Sequence, residues 1–166
     1  MLVKTYIQSN LKALDVKFRK SNSQRDNLFY SKLAILELCG WLEESMDVVV
    51  NDCAKRLIKN PQNLTYIEAE IKRNYGFNYE KNFKSLLIKL IGIVVFEKIE
   101  SSLDSQKLQL FISTLGTLVI KRNSEAHTHI KGVTRVIDAP SVTIAHFNNL
   151  YNGLLEFENA LKALKT

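Results

Sequence analysis

A chain of 166 residues, 46% hydrophobic and 24% charged, suits one domain around one core. Its two prolines and six glycines favour long uninterrupted helices over an all-β fold. The net charge of +6 and pI near 9.3 suit an anionic partner such as nucleic acid, although a lysine-rich surface serves solubility equally well. The longest apolar run, Ile91 to Phe96, falls far short of a membrane span. Polar residues interrupt the first six positions, unlike a signal peptide. A cytoplasmic chain without a membrane partner is the expectation.

In chain order, Leu2/Val3, Tyr6/Ile7, Leu11, Leu14 and Phe18 recur at three and four and predict an amphipathic first helix. Ser21-Asn22-Ser23 supplies a turn with N-cap candidates. From Gln24 to Ile58 the only strong breaker is Gly40, and apolar residues occupy more than one stripe. This predicts one long central helix, bent at Gly40 or closely approached there by another helix. Lys59-Asn60-Pro61-Gln62-Asn63 is a break, with Asn63 the expected N-cap of a short helix over Leu64 to Asn74. Gly76 is placed as its left-handed C-cap.

Asn78 is the expected cap of a helix running to about Ser102, buried through Phe83, Leu86/Leu87, Leu90/Ile91 and Val94/Val95. After the turn Leu103-Asp104-Ser105, a helix starting near Gln106 carries Leu108, Phe111/Ile112, Leu115 and Leu118/Val119 towards Arg122. Ile130 to Pro140 reads as a loop, with Val133 to Ile137 able to form a short extended piece. Ser141 is the expected cap of a last helix containing Ile144, Phe147, Leu150, Leu154 and Leu161. The fold class is therefore all-α: a single-domain helical bundle of about five to six helices over residues 1–166.

Cys39 and Cys53 are fourteen positions apart. On one helix that is roughly 21 Å, too far for a disulfide. No CxxC, HExxH or carboxylate-rich metal motif occurs, so neither a metal nor a cofactor is expected.

The stretch with the densest chemistry is Lys121-Arg122-Asn123-Ser124-Glu125-Ala126-His127-Thr128-His129-Ile130-Lys131-Gly132. It holds two of the three histidines, with Lys121, Arg122, Lys131 and Arg135 around them. Imidazole is suited to proton transfer near neutral pH, and the arginine fork matches phosphate oxygens. The structural alternative is an arginine capping helix carbonyls and a hydrogen-bonded core histidine. Positions five apart lie about 140° apart on a straight helix, so Arg122 and His127 do not share a face. Two copies facing across a twofold axis would be able to supply two arginines and two histidines to one phosphate.

Arg122-Asn123-Ser124-Glu125-Ala126-His127 resembles the arginine, polar residue, spacer, histidine signature of the HEPN superfamily of helical ribonucleases. The wider run to Ala139-Pro140-Ser141, through Gly132, is similar to the bacterial RiboL-PSP-HEPN subgroup. The resemblance implies metal-independent RNA cleavage by a homodimer, leaving 2′,3′-cyclic phosphate ends. The setting it implies is toxin–antitoxin or phage defence, with an antitoxin or defence-system partner. His127 would be the general acid or base, Arg122 the phosphate-binding cation and Asn123 an orienting residue. His129, Lys121 and Lys131 are supporting candidates. His129 stands where some relatives carry a tyrosine, which puts that mode of control in doubt here. Superfamily members that have lost catalysis imply the alternative: a module binding RNA or a partner protein.

Other features carry competing readings. Lys81, Lys84 and Lys89 form either a nucleic-acid face or a solvated helix face. Asn74 to Tyr79 is either a base-stacking surface or a packed turn. Trp41 reads as core, and Glu43/Glu44 with Asp47 as either paired carboxylates or, the better reading, an exposed helix face. His146 reaches the site only if the last helix packs beside it.

Overall fold

The long helix α2 (Gln24–Leu57) is the axis of the molecule in this computed structural model, which describes residues 1–132 and 135–164. Ser23 caps it by accepting from the Asp26 N–H at 3.2 Å. Helices α1 (Thr5–Lys20), α3 (Pro61–Lys72), α4 (Ser85–Ile91), α6 (Ser105–Ala126) and α7 (Pro140–Lys162) all pack on it, and α6 pairs with α7. Helix α5 (Ile93–Ser102) lies against α4 and α7. The described residues form seven α-helices and one short π-helical turn, with no strand. The all-α class is thus as expected, with more helices than the pattern suggested.

The extra helix comes from Gly92. Its φ of 78° is readily adopted only by glycine, and it breaks the predicted helix between α4 and α5. The turn ahead of α4 is π-helical over Tyr79–Lys84, capped by Asn78, which accepts from the Lys81 N–H at 2.9 Å. It turns Tyr79 and Phe83 into an aromatic cluster with Phe111 and Phe157, where Phe83 and Phe157 meet edge-on at 5.1 Å between centroids. Arg56 of α2 donates to the carbonyls of Leu161 and Leu164 at 2.5 and 2.6 Å, satisfying the end of α7.

Several boundaries differ from the sequence reading. Asn60, not Asn63, caps α3, with Pro61 in its first turn. Arg73 is the C-cap of α3, so Gly76 has its positive φ in the following bend rather than as the cap. Ala139 and Pro140, not Ser141, begin α7. Gly40 is exposed and a Cβ there would meet nothing, so no helix approaches it. The close approach is at Gly153 of α7, against Phe111. Cys39 and Cys53 are buried free thiols on the same helix, α2. Of the extended piece considered for residues 133–137, Val133 and Thr134 lie outside the described residues.

Candidate functional site

The buried stripe of α6 runs Phe111, Leu115 and Leu118, and the next positions in register are Arg122 and Glu125. The core of the bundle therefore ends in charge. Arg122 Nη2 lies 3.5 Å from Glu43 Oε1 on α2, with side-chain exposures of 40% and 35%. That Glu43 oxygen is buried and has no hydrogen-bond donor. One turn along α2, Asp47 is half-buried; burial, and then the charge of Glu43, push its carboxyl up to about 6. One turn the other way, burial pushes the Cys39 thiol up to about 12, with Arg122 opposing the shift and Glu43 adding to it.

Glu125 is buried and accepts from Arg135 Nη2 at 2.9 Å. The same guanidinium donates to Ser124 Oγ at 2.7 Å and to Thr128 Oγ1. Lys32 of α2 donates to the Thr128 carbonyl. These bonds fold the segment after α6 back over its last turn. His127 leaves the helix there, and His127, Thr128, His129, Lys131 and Arg135 line an open groove of about 620 Å³. His127, His129 and Lys131 are exposed.

The predicted residues therefore divide. His127, His129 and Lys131 share the groove. Asn123 is exposed on α6 without sharing it. Arg122 faces the α2–α6 seam. Lys121 pairs with Asp138. Arg135 fastens the loop rather than standing free. His146 does pack near this end of α6: it is half-buried, its Nε2 has no partner, and burial lowers its pKa, helped by Lys121 and opposed by Asp138.

Glu43 and Asp47, expected on an exposed helix face, are half-buried instead; Glu44 is exposed as expected. Their signal was register: Glu43 follows Ile35 and Cys39 at successive steps of four. The rival lysine face loses two members to acidic partners, Lys84 to Glu80 and Glu100 and Lys89 to Glu70. The turn from Asn74 to Tyr79 is packed through Phe77 and Tyr79, leaving Tyr75 exposed. Trp41 is half-buried, with its indole N–H on the Val3 carbonyl at 2.9 Å.

Fold and groove together define a helical bundle that exposes imidazole and ammonium groups side by side at the end of α6. Among the described residues no group of three or more His, Cys, Asp or Glu side chains is arranged to hold a metal ion, and no helix is long and apolar enough to cross a membrane. No family model matches the chain, and no curated protein or solved structure matches it.

Proposed function

We propose that the chain is a metal-independent endoribonuclease of the HEPN type, acting on RNA as a homodimer in a toxin or phage-defence setting. The observation that carries this reading is the groove at the end of α6, where His127, His129 and Lys131 stand exposed five to nine positions after Arg122. In this mechanism His127 of one protomer takes the proton of a 2′-hydroxyl. The 2′-oxygen attacks its own phosphorus, the bond to the 5′-oxygen breaks, and the partner's His127 returns a proton to that leaving oxygen. Arg122 stabilises the charge gathering on the phosphoryl oxygens. Asn123, exposed on the helix turn between them, orients one of these groups.

A homodimer is part of the proposal because Arg122 and His127 face different sides of one chain. The outer surface of α6 supports it: Gln109, Leu110, Ser113, Gly116, Ile120 and Asn123 are exposed, and no charged residue occurs from Leu108 to Ile120. Such a strip accepts a second helix without desolvating a charge. The twofold axis is expected near residues 121–132, and sedimentation at about tens of micromolar tests for the dimer itself.

The alternative, a non-catalytic module binding RNA or a partner protein, is favoured by one observation: Arg122 is paired with Glu43 and does not line the groove. Labelled single-stranded RNA incubated with chelator and either wild type or His127→Ala separates the readings. Cleavage by wild type that drops at least about 10²-fold in the variant supports the nuclease. Tight binding without cutting by either protein supports the module.

A further inference from the structure

We infer that Glu43 is a positioning residue for Arg122, holding its guanidinium in the α2–α6 seam and yielding it to a phosphate. This rests on the nuclease reading, in which Arg122 meets the phosphodiester. Arg122 continues the buried stripe of α6, so its side chain is directed over α2 rather than into open solvent. Among the described residues its one ionic contact is Nη2 to Glu43 Oε1 at 3.5 Å, longer than a hydrogen bond. Among the described residues the Arg122 guanidinium makes no hydrogen bond, which leaves its five N–H donors available.

Glu43 has the complementary peculiarity. Its Oε1 is buried and takes no hydrogen bond, so Arg122 is the cation that compensates it. A carboxylate at this distance fixes the direction of the fork without occupying its donors. The same negative charge opposes an approaching phosphate and weakens ground-state binding. Asp47 stands a turn further along α2 and is disfavoured as an anion by burial first and then by Glu43. Glu43 thus exchanges affinity for alignment, and the two effects are separable by experiment.

The test compares wild type, Glu43→Gln and Glu43→Asp. The readouts are affinity for a short mixed-sequence single-stranded oligonucleotide with 2′-deoxy sugars, and kcat and KM on the matching RNA. Glu43→Gln keeps the shape and removes the charge. It is expected to bind the deoxy oligonucleotide roughly three- to tenfold more tightly, with KM falling in step. Its kcat is expected to fall about tenfold, because the fork is no longer held. Glu43→Asp restores the charge and wild-type affinity. In Glu43→Gln combined with Arg122→Ala the affinity gain disappears. Unchanged affinity and kcat in Glu43→Gln, a change confined to melting temperature, or a gain that persists without Arg122 would overturn the inference. The underlying reading fails separately, when Arg122→Ala and His127→Ala both cut like wild type. If the chain binds without cutting, the affinity measurements decide the role of Glu43 alone.

Discussion

Arg135 and Glu125 meet at 2.9 Å, with a guanidinium from the loop closing on a carboxylate buried beneath the last turn of α6. Their side chains are 25% and 7% exposed, so the pair is largely withdrawn from solvent. Removing one member strands the other. Arg135→Ala is expected to cost about 1–3 kcal/mol, less than the roughly 3–5 kcal/mol of a fully buried pair because Arg135 keeps some solvent contact. In Arg135→Ala, hydrogen exchange should be faster than in wild type at residues 127–132 and unchanged in the helices. Glu125→Gln combined with Arg135→Ala should recover part of the loss. Wild-type exchange in Arg135→Ala would show that the loop is held by something else.

The α6–α7 contact predicts a second outcome. A Cβ built on Gly153 falls 2.5 Å from the Cβ of Phe111, whose side chain is fully buried in the aromatic cluster. Gly153→Ala gains about 1 kcal/mol of helix propensity and suffers overpacking of typically 1–3 kcal/mol. Because the clash is with the base of a buried ring rather than a flexible tip, overpacking wins and chemical denaturation should show a less stable protein. Gly40→Ala, at an open exposed position, should be stabilising. The reverse order of these two variants would contradict the packing described.

Asp47 sets a pH dependence. Its folded-state carboxyl is raised from 3.8 to about 6, so between those values the folded chain holds a proton that the unfolded chain releases. Its contribution to stability is therefore lost as pH rises through that window, and the anion is a burden at neutral pH. Asp47→Asn should raise the melting temperature at pH about 7 and have little effect below about 4. His146 has the opposite sense: its lowered pKa makes stability fall as pH drops below the ordinary histidine range. Thermal melts of both proteins across pH separate the two. An Asp47→Asn gain that is equal at both ends of the range would rule out this origin.

These particulars also show what could be read from the chain alone. Helix α2 was legible because its apolar residues persist through Gly40, and a single glycine weakens a helix without ending it. The break at Gly92 was not, because the apolar periodicity continues across it and only the backbone angle reveals the turn. Asn60 and Pro61 together start α3 more effectively than Asn63 does, because proline suits the first turn. At the site, the helical angle between Arg122 and His127 already separated their faces. What escaped was the far wall of the seam. Glu43 and Asp47 look like surface residues until α6 is laid against α2, and that pairing of distant segments has no local signature.

The central claim is that one site draws Arg122 and His127 from two chains. It is tested most directly by mixing Arg122→Ala with His127→Ala after unfolding and refolding them together. Each variant alone leaves the shared site without arginine or without histidine. The mixed dimer keeps one of each around the twofold axis. The account predicts that the separate variants are nearly inactive on single-stranded RNA in chelator, and that the mixture regains measurable cleavage, below wild type because its single His127 must both take and return the proton. Active wild type with a mixture as inactive as its components would contradict a shared site, and a wild type that does not cut at all would contradict the nuclease itself.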